Sequence, residues 1–120
     1  MSRFNIIAYI DEIQLTSRLI KICQQHDYQL LLPERTEIIA DSLTSSSGLI
    51  LADLDEAYYS TDDFVKPIRS GSAFPLVGII ERIQAEKARG NARGLYDLII
   101  PKSLLEQNLS VIINQVQNGS

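Results

Sequence analysis

The chain has 120 residues, a length that suggests one domain and hides roughly two thirds of the unfolded surface on folding, enough for a self-sufficient core. Hydrophobic residues make up 45% and charged residues 22%, with a net charge of −4 and a pI near 4.9. That balance argues against a binder of the nucleic-acid backbone, which needs a dense basic face. The single cysteine cannot close an internal disulfide, and neither a signal peptide nor a membrane-spanning apolar run of about eighteen residues is expected, which fits a cytoplasmic protein.

Two periods alternate along the chain. Arg3 to Ile10 is an apolar run of strand length. Asp11 follows and can cap a helix over Asp11 to His26, where Leu15, Leu19, Ile22 and Cys23 fall on one face. Cys23 therefore reads as a buried thiol and His26 as a solvated helix-end residue. Tyr28 to Pro33 gives a second strand and Glu34 to Leu43 a short helix, followed by a loop at Thr44 to Ser47.

Leu49 to Ala52 is apolar without alternation, as a strand covered on both faces is. It runs into the carboxylates Asp53, Asp55 and Glu56. Ser60 or Thr61 can cap a helix towards Ser70, which Pro67 should shorten or kink. Phe74 to Ile80 is a fourth strand, Arg82 to Asn91 a charged helix and Leu95 to Ile100 a fifth strand. Ser103 and Glu106 form a capping-box pattern ahead of a stripe of Leu105, Leu109, Ile112, Ile113 and Val116.

Five strands alternating with five helices predict an α/β fold: a five-stranded parallel sheet with helices on both faces. One domain over residues 1–120 is expected, with 117–120 a loose tail. In such sheets ligands bind beyond the carboxyl ends of the strands. Asp11 and Glu12 follow the first strand and Asp53 ends the third, so these acids share one edge. A glycine-rich phosphate turn, a nucleophile elbow and a zinc site of Cys and His are all absent from the sequence.

The alternation, the length, the acids at the ends of the first and third strands and the 42 positions from Asp11 to Asp53 resemble the receiver domain of bacterial two-component response regulators. Tyr28, opening the second strand, and Gly94 with Asp97, before the fifth, fit the same pattern. The resemblance covers nearly the whole chain and implies a flavodoxin-like (βα)5 fold. It also implies that Asp53 is the phospho-acceptor and that Asp11, Glu12, Asp53 and Asp55 surround a magnesium ion. Lys102 would be the phosphate contact, although Pro101 stands in strict register with the family's lysine. Other positions depart: Ile80 replaces the switch hydroxyl, Leu98 the switch aromatic, and Ile10 the first of the acid pair.

The expected function is thus a receiver-like signal-transduction module of a two-component phosphorelay, degenerate and working by protein–protein contact rather than as an enzyme. The alternative is a receiver that accepts a phosphoryl group on Asp53 with magnesium. A small α/β enzyme or ligand binder is a third option, from another class. The implied partners are proteins, such as a histidine kinase or an output domain in a longer chain, with a homodimer left open and neither nucleic acid nor membrane. Glu81, Arg82, Glu86, Lys87, Arg89 and Arg93 read as a solvated helix face or a partner surface, and Tyr58-Tyr59 as loop packing or a contact pair.

Overall fold

The computed structural model describes residues 4–35, 47–71, 74–81 and 95–118. In chain order these form β1 (Asn5–Tyr9), α1 (Ile13–His26), β2 (Gln29–Leu31), β3 (Gly48–Asp53), a 3-10 helix (Ala57–Ser60), α2 (Asp62–Gly71), β4 (Leu76–Ile80), β5 (Leu98–Pro101) and α3 (Lys102–Asn118). The strands make one all-parallel sheet in the order β2-β1-β3-β4-β5, which is the flavodoxin-like, doubly wound arrangement. Of the helix expected over Glu34 to Leu43 only Glu34 and Arg35 are described, and they are not helical; the helix expected over 82–91, and Gly94, lie outside the described residues.

Parallel strands buried on both faces need continuous apolar sequence, and β1, β3 and β4 are buried along their whole length. Side chains of alternating parity feed two cores. Ile6, Ala8, Leu49, Leu51, Val77, Ile79 and Ile100 pack against Leu15, Leu19, Ile22 and Cys23 of α1 and Leu105, Leu109, Ile112 and Ile113 of α3. Ile7, Tyr9, Ile50, Ala52 and Leu76 pack on the other face with Tyr59, Phe64, Val65 and Ile68 of the 3-10 helix and α2. Both apolar helix stripes read from sequence therefore face the sheet, Val116 excepted because its side chain is outside the described set. Each fully buried aliphatic side chain contributes about 1.5–3 kcal/mol of transfer free energy.

The helix starts differ from expectation at α1 and α3, whereas α2 has an expected cap. α1 begins at Ile13 with Glu12 in the cap position and no side-chain cap; Asp11 is drawn elsewhere. α2 is preceded by Thr61, whose Oγ1 accepts from the Phe64 N–H at 3.4 Å, with Asp62 and Asp63 favourably placed in the first turn. It continues through Pro67 to Gly71 rather than stopping there; the hydrogen bond that proline cannot donate falls on an exposed turn. α3 begins at Lys102, directly after β5, so Ser103 is already inside the helix.

The sheet's edge strands are short: β2 has three residues with Pro33 close behind, and β5 has four and ends on Pro101. Among the described residues no helix is long and apolar enough to cross a membrane.

Candidate functional site

Strand order reverses between β1 and β3, and the crevice beyond their carboxyl ends is where an open parallel sheet presents ligand groups. Register aligns those ends: Tyr9 pairs with Ala52, Asp53 with Ile79, and Ile80 with Pro101. Asp11 and Glu12 leave β1 at this edge, Asp53 closes β3, and Lys102 opens α3.

Strand alternation explains which of these meet. Leu49 and Leu51 face α1 and α3, so Asp53, two further on, falls on the same side. Lys102 is the first residue of the helix that covers that side. Its ammonium lies 2.8 Å from Asp55 Oδ2, 3.0 Å from Asp53 Oδ1, 3.1 Å from Asp53 Oδ2 and 3.4 Å from Glu12 Oε2. The Asp53 side chain is only 4% exposed and that of Lys102 11%. Asp53 Oδ1 also accepts the Asp55 N–H at 3.0 Å, and Asp55 Oδ2 accepts the Glu81 N–H at 3.0 Å, which fastens the loop after β3 to the end of β4.

Burial pushes the Asp53 carboxyl above the ordinary aspartate pKa, and the hydrogen bond and charge of Lys102 pull it back only in part. Burial acts against the Lys102 ammonium too. There the hydrogen bonds and charges of Asp55 and Asp53 more than compensate and hold its pKa above the usual lysine value. Lys102 is therefore a cation at every working pH.

A second group lies on the α2 side. Ile10 packs with the α1 and α3 core, and Asp11, next in line, turns to the opposite side. Arg35 Nη2 pairs with Asp11 Oδ2 at 2.6 Å and approaches Glu56 Oε2 at 3.7 Å. Its guanidinium carbon stands 5.3 Å from the Tyr58 ring centre and 5.4 Å from that of Tyr59. The Tyr59 hydroxyl donates to Asp11 Oδ1 at 3.5 Å. Tyr59 is buried in the core and Tyr58 half-buried, both edge-on to Phe64, which assigns the pair to packing.

The candidate metal ligands are thus not brought to one point. Glu12, Asp53 and Asp55 converge on the Lys102 ammonium, while Asp11 belongs to Arg35. Among the described residues no group of three or more His, Cys, Asp or Glu side chains is arranged to hold a metal ion. A magnesium ion, which demands near-ideal octahedral oxygen coordination, does not fit the set as it stands. Ile80 is buried at the end of β4, and its aliphatic side chain carries no hydrogen-bond donor. Leu98 is half-buried against the α1 and α3 core.

Asp55, a candidate metal ligand from sequence, meets the Lys102 ammonium instead. Two contributors escape a reading of the sequence. Arg35 falls inside an expected helix, and nothing local ties it to Asp11. Tyr96 is the buried aromatic at the entry to β5, two residues before the position where the resemblance seeks one. Asp97 closes the entry to β4 against β5. Its Oδ2 accepts the Leu76 N–H at 2.8 Å and pairs with Arg69 at 3.2 Å. His26 is exposed at the end of α1 and stacks on Tyr28, far along the fold from the acids. Of the charged stretch from Glu81 to Arg93, only Glu81 is among the described residues.

Compared with known proteins, the chain matches no family model and no curated sequence.

Proposed function

We propose that the chain is a receiver-like signalling module of degenerate type, which works by contact with other proteins. The flavodoxin-like sheet supports this reading, together with an aspartate at the end of β3 that lies 3.0 Å from a lysine ammonium. The observation that carries the degenerate part is Ile80. A phosphoryl group on Asp53 needs hydrogen-bond donors at its oxygens, and the neighbouring strand end supplies a buried aliphatic side chain instead. The partner would be a histidine kinase, an output domain in a longer chain, or another protein of the same relay.

The second reading, a working phospho-acceptor, is favoured by Lys102. In that reading an Asp53 oxygen attacks the phosphorus of a small acyl phosphate, the bond to the acyl oxygen breaks, and the ammonium offsets charge on the transferred group. Incubation with acetyl phosphate and magnesium, followed by intact-mass measurement, separates the two. The degenerate module keeps its unmodified mass; stoichiometric gain of one phosphoryl group, abolished by Asp53→Asn, overturns it.

A further inference from the structure

We infer that Lys102 and Arg35 are resident counter-ions that divide the acidic edge between them, so that Lys102 takes the place a divalent cation would occupy. The inference concerns the same edge as the proposed signalling site and needs none of its signalling role.

Asp11 and Glu12 are consecutive, yet each serves a different cation. Glu12 is extended, and alternation past the end of β1 sends the two carboxylates to opposite sides of the sheet edge. Asp11 goes to Arg35 and the tyrosine pair; Glu12 goes to Lys102. Both oxygens of Asp53 face the ammonium, and Oδ1 is further taken by the Asp55 N–H. Asp55 Oδ2 is shared by the ammonium and the Glu81 N–H. A point cation surrounded by three carboxylates is what a hard metal ion would be here, except that this one is tethered to α3.

A divalent ion entering the group would have to displace a largely buried ammonium or sit beside it, cation against cation. Lys102 also connects α3 to the loop after β3 and, through Asp55, to the end of β4. The arrangement of that loop is therefore set by the chain's own charge and not by the metal content of the solution.

The test uses the whole chain. Manganese titration followed by water-proton relaxation reads specific divalent binding, and thermal unfolding with and without about 10 mM magnesium, at matched ionic strength, reads its effect on stability. The wild-type chain is expected to show no site tighter than about 1 mM and no magnesium-dependent shift in Tm. Lys102→Met, which leaves three carboxylates without their cation, is expected to bind manganese at least about tenfold more tightly and to gain about 4 °C in Tm from magnesium. Should Lys102→Met not fold, Lys102→Gln takes its place. The wild-type titration decides by itself: a sub-millimolar site there overturns the inference, as does a folded variant that binds no better than wild type. Acetyl phosphate labelling is read separately. A wild-type chain that binds manganese but takes no phosphoryl group removes this inference and leaves the degenerate reading standing.

Discussion

Tyr96 donates its hydroxyl hydrogen to the main-chain carbonyl of Tyr59 across 2.5 Å inside the core. The bond joins the segment entering β5 to the 3-10 helix beyond Asp53. Burial pushes the Tyr96 hydroxyl well above the ordinary tyrosine pKa, so it remains a donor across the working range. Tyr96→Phe leaves that carbonyl without its partner and is expected to cost about 1–3 kcal/mol. Urea unfolding checks this: the midpoint should fall with the slope unchanged, and an unmoved midpoint would remove the bond's claimed role.

Asp97 and Arg69 form an ion pair, but the two ends are unequal. Both side chains are substantially exposed, so the pair itself contributes about 0–1 kcal/mol. The Leu76 N–H that Asp97 accepts belongs to a residue with no exposed surface. Asp97→Ala should therefore cost about 1–3 kcal/mol and Arg69→Ala clearly less. Equal losses in paired urea titrations would contradict this ordering.

Gly78 lies where Leu54 crosses β4. A Cβ added there would stand 2.5 Å from Leu54 Cδ1, 2.9 Å from Leu54 Cγ and 3.2 Å from the Tyr96 ring. All three residues are buried, so none moves freely. Gly78→Ala is expected to destabilise by about 1–3 kcal/mol through overpacking, and to disturb the loop that carries Asp55. Thermal unfolding measures the first effect, and the amide resonance of Asp55 the second. A variant as stable as wild type would show that the loop yields.

Burial pushes the Cys23 thiol up to about 11, from 9.0 when exposed. Its folded-state pKa is raised, so the folded chain holds the proton longer than the unfolded one. The stability linked to it is fully present below the unfolded value and is lost as pH rises through the folded one. At pH 8 the native thiol should react with a disulfide reagent at least about a hundredfold more slowly than in urea, from thiolate population alone. Comparable rates would mean that Cys23 is open to solvent.

The architecture is legible from sequence because buried parallel strands need unbroken apolar runs and their covering helices need a stripe, and Leu49 to Ala52 and Leu105 to Ile113 carry those patterns plainly. The candidate site is legible only in part. Asp11, Glu12 and Asp53 are placed at one edge by topology, but which carboxylate meets which cation depends on side-chain reach across the sheet. Strict register assigns the lysine position to Pro101, and alternation alone would turn Lys102 to the other face. The chain enters α3 at Lys102 itself, so helical geometry replaces alternation, and a long flexible arm covers the remaining distance. The 3-10 helix has no periodicity to betray it, since one turn is too short for a pattern.

The two prolines at the sheet's margins limit what the protein can assemble with. A fibre, or a partner that docks by adding a strand, needs a row of unpaired amide hydrogens on an outer strand. Here one outer strand spans three residues before Pro33 interrupts, and the other stops on Pro101, which has no amide hydrogen to give. Among the described residues, lateral growth of the sheet has little to build on from either margin.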